Sequence, residues 1–143
     1  MRIGIDASNL SRGGGVTHLI NLIKASSPEK NNFDHLVIWC STDLIKILPR
    51  RPYITYVEKS FFTNIFLRIL WLKLFLNAQM RSYKIDIRFS PGGLVFGSCV
   101  PTVIMSRNML PFQSSRILLY GWSFMAVRLF ALRFFLTQSL RNA

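Results

Sequence analysis

Apolar residues along the chain occur in two patterns, short continuous runs and longer segments with helical spacing. Continuous apolar or β-branched runs are typical of strands that are buried on both faces of a sheet. Such runs predict five strands, at Arg2–Asp6, His35–Cys40, 53–57, 85–89 and 102–106.

The segment after the first strand has the spacing of an amphipathic helix. Its apolar residues stand at positions i, i+3, i+4 and i+7, which places Val16, Leu19, Ile20 and Ile23 on one face. Pro28 marks the end of this helix. Three more helices are predicted, at 43–48 with Thr42 as its cap, at 61–83, where neither Gly nor Pro interrupts, and at 122–140.

Strands that alternate with helices are typical of an α/β fold, in which helices cover both faces of a parallel sheet. Ligands of such folds bind outside the carboxyl ends of the strands. Three loops follow predicted strand ends: the glycine-rich loop at 11–15, the Pro-Gly-Gly turn at 91–93 and the segment 106–109. We expect all three to open toward one crevice.

Composition restricts the class of protein further. Half of the 143 residues are hydrophobic, which excludes a disordered tail. Two cysteines cannot form a disulfide scaffold, and 8 Gly and 6 Pro without a repeat exclude collagen-like chains. The length allows one domain of ordinary size.

The charge is strongly positive and unevenly distributed. Residues 1–58 carry 7 basic and 5 acidic side chains, whereas residues 59–143 carry 11 basic side chains and a single acid, Asp86. This asymmetry indicates a surface that faces an anion. A phospholipid headgroup layer, a nucleic acid and a phosphorylated substrate all fit, and so does a basic surface without a partner.

Two apolar segments approach the length of a membrane span, at 61–80 and 117–136. Each contains two basic residues, and one basic residue near the middle of a spanning helix costs roughly 2.5–3.5 kcal/mol. Both segments are therefore interpreted as helices that do not cross a membrane. Because no signal segment is visible and only two cysteines occur, we expect a cytoplasmic protein, peripheral at the inner face of the plasma membrane.

The glycine-rich loop is the most informative single feature. Gly13, Gly14 and Gly15 lie between a strand and a helix, where they let the backbone approach a ligand closely. The start of the helix favours an anion. The spacing is neither that of a dinucleotide fingerprint nor that of a Walker loop. A tight turn that only allows close helix packing is the alternative.

Three further residues are candidates for ligand binding. His18 is in the first turn of the helix and away from its apolar face, so it points either to the crevice or to solvent. Arg107 is suited to a phosphate or carboxylate, and Asn108 to hydroxyl groups. A structural role for Arg107 is the alternative.

Other chemistries find little support in the sequence. The two cysteines and two histidines have no metal-binding spacing, and no cofactor is expected. No nucleophile elbow of the G-x-S-x-G type occurs. Asp6 stands at the carboxyl end of a strand, where fixing the following loop is a better interpretation than acid–base catalysis.

Three segments follow one another along the chain as recognisable motifs: RIGIDASNLSRGGGVTHLINLI, SPGGLVFG and VIMSRNMLPF. Together they resemble a bacterial family-4-type glycosyltransferase of the two-domain GT-B architecture, over most of the chain. The resemblance implies a Rossmann-like domain that holds the acceptor. It also implies that Gly13, Gly14 and Gly15 approach the diphosphate of a nucleotide-sugar donor. Arg107 and Asn108 match a polar pair in the cleft, but the histidine that often accompanies it is missing.

The resemblance implies a second domain that binds the nucleotide-sugar through two glutamates separated by seven residues. Glu29 and Glu58 are the only glutamates, so this motif is absent. We therefore expect residues 1–143 to form a single acceptor-side domain, incomplete at its C-terminus, without the donor-binding domain. Such a chain is expected to be inactive alone.

Two function classes follow from the sequence. The first is part of a glycosyltransferase that acts on a glycan or lipid-linked acceptor in surface polysaccharide or lipopolysaccharide synthesis. The second is a basic module without enzymatic activity that binds an anionic membrane surface, or a degenerate remnant. Nucleic acid is not expected as a partner, because no nucleic-acid-binding motif occurs.

Overall fold

The computed structural model describes residues 1–92, 95–105 and eight separate later positions. These positions are Phe112, Ser123, Met125, Leu129, Phe130, Arg133, Phe134 and Thr137. The segment 106–109, with Arg107 and Asn108, lies outside the described residues, and so does most of the predicted helix 122–140.

Five parallel strands form one sheet in the order β3-β2-β1-β4-β5. They are β1 (Arg2–Asp6), β2 (His35–Cys40), β3 (Ile54–Glu58), β4 (Ile87–Ser90) and β5 (Thr102–Ile104). The predicted strands are thus confirmed, with ends that differ by a few residues. Because β1 is central, the loop that follows it lies at the middle of the carboxyl edge of the sheet.

Helices connect β1 to β2, β2 to β3 and β3 to β4, whereas a loop joins β4 to β5. They are α1 (Gly14–Ala25), α2 (Pro28–Asn31), α3 (Thr42–Ile45), α4 (Ile65–Leu74) and α5 (Leu76–Ser82), with a 3₁₀ turn at Ser60–Thr63. Ser41, and not Thr42, caps α3, because the Ser41 hydroxyl accepts a hydrogen bond from the Leu44 N–H at 3.4 Å.

The prediction of one long helix at 61–83 is wrong. Asn64 starts a new helix, since its side-chain oxygen accepts hydrogen bonds from the N–H groups of Phe66 and Leu67 at 3.0 and 3.3 Å. A second break follows at Phe75, between α4 and α5. The absence of Gly and Pro was therefore an insufficient criterion for a continuous helix.

The two faces of the sheet carry separate hydrophobic cores. On one face, Ile5 and Ile38 pack with Leu19 and Ile23 of α1. On the other, Val37 and Trp39 pack with residues of the 3₁₀ turn, α4 and α5. The α/β, Rossmann-like prediction, with a parallel sheet and helices on both faces, is confirmed.

Candidate functional site

A buried ion pair lies at the carboxyl end of the central strand. Arg88 of β4 donates from Nη2 to Asp6 Oδ2 at 2.5 Å. The other oxygen, Oδ1, accepts hydrogen bonds from the Ser8 hydroxyl at 2.6 Å and from the Ser8 N–H at 3.3 Å. Asp6 thus fixes the loop after β1, as expected, and both of its oxygens are occupied.

The register of the sheet explains how Arg88 reaches Asp6. Arg88 pairs with Gly4 on β1, two residues before Asp6. Because side chains alternate along a strand and paired residues share a face, Asp6 lies on the same face of the sheet as Arg88. Sequence reasoning missed Arg88, since the alternation of apolar and polar residues in 85–90 is typical of a strand with one exposed face.

A small polar pocket opens beside this ion pair, with a volume of about 160 Å³. Its lining comes from the segments that follow β1, β2 and β3 and from α4. The lining residues are Ser8, Leu10, Ser11, Ser41, Phe62, Thr63 and Arg68. Four of these side chains carry hydroxyl groups and one carries a guanidinium. Among the described residues no carboxylate lines the pocket, so it is suited to an anion.

Arg68 is the charged group of this pocket. Its side chain is half-buried. Within the described part of the chain, the one hydrogen bond of this side chain runs from Nη1 to the Phe62 carbonyl at 3.5 Å. Burial lowers the pKa of Arg68, and the negative charge of Asp6 acts in the opposite direction. The guanidinium is thus partly desolvated and still has donors available.

The glycine-rich loop leads from this pocket into α1. Gly13 has a φ of 78°, which favours glycine, and the positions that side chains at Gly13 and Gly14 would occupy are empty space. Gly15 is buried. Gly13 and Gly14 thus leave the helix start open, whereas Gly15 is enclosed, and binding of a ligand by the three glycines stays a prediction.

The loops after β1 and β4 touch at the carboxyl edge of the sheet. A Cβ at Gly92 would lie 1.6 Å from the side-chain amide of Asn9. Glycine at 92 is therefore needed for this close approach. The third predicted loop, with Arg107 and Asn108, lies outside the described residues.

His18 is half-buried in α1. The residues that line the pocket do not include it, so its role in binding stays a prediction. Cys40 is fully buried at the end of β2, and burial, with a smaller effect of Glu58, raises its pKa to about 12. A thiol with this pKa is protonated at neutral pH, which excludes Cys40 as a nucleophile there.

A second and larger cavity differs in chemistry. It measures about 430 Å³ and is lined mainly by aliphatic and aromatic side chains: Ile3, Ile5, Leu22, Ala25, Ser26, Asn31, Phe33, Leu36, Ile87, Phe89 and Val103. No charged side chain of the described residues lines it. Of the two, the polar pocket is the better candidate for a charged ligand.

Comparisons of the chain with protein-family models, with curated proteins and with solved structures find no match. The carboxyl edge of the sheet is therefore the part of the molecule that points to a function. This edge combines an open helix start at Gly13 and Gly14 with a guanidinium and several hydroxyl groups in one neighbourhood. Sequence reasoning found the glycines but not Arg68, although a cation in an apolar helix just after a strand end was an available signal.

Proposed function

We propose that this chain is the acceptor-side part of a bacterial glycosyltransferase of GT-B type. The intact enzyme would transfer a sugar from a nucleotide-sugar to a glycan or lipid-linked acceptor in surface polysaccharide or lipopolysaccharide synthesis. One observation carries this proposal: α1 begins in open space at Gly13 and Gly14, directly after the loop of the central strand. Exposed N–H groups at such a position stabilise phosphate groups. The leaving diphosphate of a nucleotide-sugar carries two such groups.

The chain's contribution to catalysis would be positioning and electrostatic support of the leaving group. Asp6 is unsuited to proton transfer, since Arg88 and Ser8 occupy both carboxylate oxygens. Because Glu29 and Glu58 cannot form the paired-glutamate motif of the donor domain, we expect the purified chain alone to turn over no nucleotide-sugar. Donor turnover without an added partner would overturn this expectation.

Genetic deletion tests the proposed function. In the bacterium that encodes the chain, deletion is expected to remove one sugar from the surface glycan, as measured by mass spectrometry. Complementation with the native gene restores the sugar.

Complementation with the Gly14→Asp variant is expected to fail, because a carboxylate at the helix start repels a diphosphate. Asn21→Asp is the matched control, since it adds the same charge to an exposed position of α1, and it should complement. An unchanged glycan in the deletion strain would contradict the proposal.

A second candidate function, docking on an anionic membrane surface, is favoured by α4. This helix exposes a series of large apolar side chains, with exposures between 49 and 81%: Ile65, Phe66, Leu67, Leu70 and Leu74. The helix α4 contains two basic residues and no acid. Apolar and basic residues together are typical of helices that lie in a bilayer interface. No described helix is long and apolar enough to cross a membrane.

Vesicle flotation separates this candidate from nucleic-acid binding. We expect flotation with phosphatidylglycerol vesicles, less with neutral vesicles, and weaker flotation at higher salt. Phe66→Ser should reduce it, whereas Ile47→Ser, at an exposed position in the segment between β2 and β3, should not. Binding to duplex DNA with a steep salt dependence, and none to anionic vesicles, would contradict membrane docking.

A further inference from the structure

We propose that the pocket lined by Arg68, Ser11 and Ser41 binds a phosphoryl group of the ligand. This site adjoins the start of α1, because Ser11 belongs to the glycine-rich loop, but its donors are side chains and not the N–H groups at Gly13 and Gly14 that face the diphosphate in the proposed function. If that function holds, the pocket takes a phosphate carried by the acceptor, and this part of the inference rests on it.

The charges around the pocket favour an anion. The negative charge of Asp6 acts on Arg68, but the two oxygens of Asp6 already accept hydrogen bonds from Arg88 and Ser8. Asp6 and Arg88 balance each other, and no carboxylate of the described residues forms an ion pair with Arg68. A half-buried guanidinium without an opposite charge in direct contact is stabilised when an anion binds.

The hydroxyl groups divide into those that can donate to a ligand and those that cannot. The Ser8 hydroxyl donates to Asp6, and the Thr63 hydroxyl donates to the Ser60 carbonyl at 3.3 Å. The Ser41 oxygen accepts from the Leu44 N–H, which leaves its own proton for a ligand. Arg68, Ser41 and Ser11 therefore supply donors from three separate segments of the chain.

The size of the pocket limits what it can hold. Pockets for drug-sized ligands measure about 300–1,000 Å³, whereas this pocket measures about 160 Å³. It is suited to one compact group, while the rest of the ligand lies outside. A phosphoryl group fits this description, because its oxygens accept the paired N–H donors of a guanidinium.

The test is an NMR titration of the full chain with inorganic phosphate and with glucose 1-phosphate. We expect chemical-shift changes at the amides of Ser8, Ser11 and Ser41. Arg68→Gln removes the charge and should weaken phosphate binding about tenfold or more. Arg81→Gln is the matched control, because it makes the same change at an exposed position of α5, and it should change the affinity less than about twofold.

Three outcomes would overturn the proposal. They are the absence of any response to phosphate, shifts confined to Gly13 and Gly14, and equal losses in the Arg68 and Arg81 variants. Ser11→Ala provides a second variant, since Ser11 is an exposed loop residue whose replacement should leave folding intact. It is expected to weaken phosphate binding severalfold, and unchanged binding in Ser11→Ala together with Arg68→Gln would also contradict the proposal.

The source of the phosphoryl group is determined by a third probe, vesicles of phosphatidic acid in phosphatidylcholine. If Arg68→Gln weakens binding to these vesicles more than Arg81→Gln does, the ligand is a lipid phosphate. A response to glucose 1-phosphate without binding to these vesicles assigns a soluble phosphate, and either result supports the pocket. Failure of the pocket and failure of the proposed function are distinguishable, because the deletion phenotype does not depend on this titration.

Discussion

At the scale of single residues, Asp6 holds the carboxyl edge of the sheet together. It connects β1 to β4 through Arg88 and fixes its own loop through Ser8. The sequence placed Asp6 at a strand end and favoured a structural role, which the hydrogen bonds of Ser8 confirm. Arg88 could not be predicted, since whether an Arg in an alternating strand is exposed depends on which strands pair with it.

Replacement of Arg88 is expected to destabilise the fold strongly. Arg88→Met leaves Asp6 buried without its partner, and loss of one partner of a buried ion pair costs about 3–5 kcal/mol. Urea unfolding measures this change. Lys46→Met removes the cation of the exposed pair with Asp43, and should cost at most about 1 kcal/mol. Equal effects of the two substitutions would contradict the role of Arg88.

The two cysteines should differ in reactivity. Cys40 is buried with a pKa raised to about 12, whereas Cys99 is exposed. In the native chain at pH 8, a thiol reagent is expected to label Cys99 alone, and Cys40 only after unfolding. Mass spectrometry of the labelled peptides measures this. Rapid labelling of Cys40 in the folded chain would show that the reagent reaches the end of β2, and would contradict this prediction.

At the scale of elements, the contact between the loops after β1 and β4 determines the shape of the crevice. The sequence predicted that these loops open toward one crevice, because the carboxyl ends of parallel strands share one edge. It could not predict that Asn9 and Gly92 form the contact, since loop conformation depends on backbone angles that periodicity does not encode. For the same reason, the helix breaks at Asn64 and Phe75 could not be predicted, whereas the strands could be predicted from their apolar runs.

Gly92→Ala is expected to destabilise the chain by about 1–3 kcal/mol, because the added Cβ overlaps the Asn9 side chain. Thermal unfolding measures this. The double variant Gly92→Ala with Asn9→Gly removes the overlap and should recover part of the loss. Gly97→Ala is a poor control because Gly97 has a φ of 66°. Ser82→Ala, at an exposed position of α5, is a suitable one. No recovery in the double variant would contradict the contact.

At the scale of the whole molecule, stability should fall at alkaline pH. Burial raises the pKa of Cys40 from 9.0 to about 12, and burial also raises the pKa of Tyr56 from 10.0 to about 12. Both groups keep their protons in the folded chain at pH values where the unfolded chain has lost them. The stability that they contribute is fully present below pH 9 and is lost as the pH rises through 12.

Urea unfolding at several pH values between 8 and 11 tests this prediction. Cys40→Ala and Tyr56→Phe should each flatten the decrease of the unfolding free energy with pH, whatever their effect at pH 7. Cys99→Ala is the matched control, because Cys99 is exposed, and its slope should equal that of the native chain. Identical slopes in all variants would show that these two groups do not control alkaline stability.

The charge distribution also belongs to the whole molecule. The sequence showed 11 basic residues and one acid in 59–143, but not which of them face a ligand. The structure separates their roles: Arg88 is buried against Asp6, Arg68 lines the polar pocket, and Arg81 is exposed. Burial of a charged side chain depends on tertiary packing, so sequence composition indicated an anionic partner without locating its site.

The central claim is that this chain takes part in sugar transfer. The most direct test uses a cell extract from a strain that lacks the gene, supplied with radiolabelled nucleotide-sugars and its own envelope acceptors. We expect this extract to fail to incorporate one sugar, and an extract of the strain complemented with the native gene to incorporate it again. Full incorporation of every sugar without the chain would contradict the account.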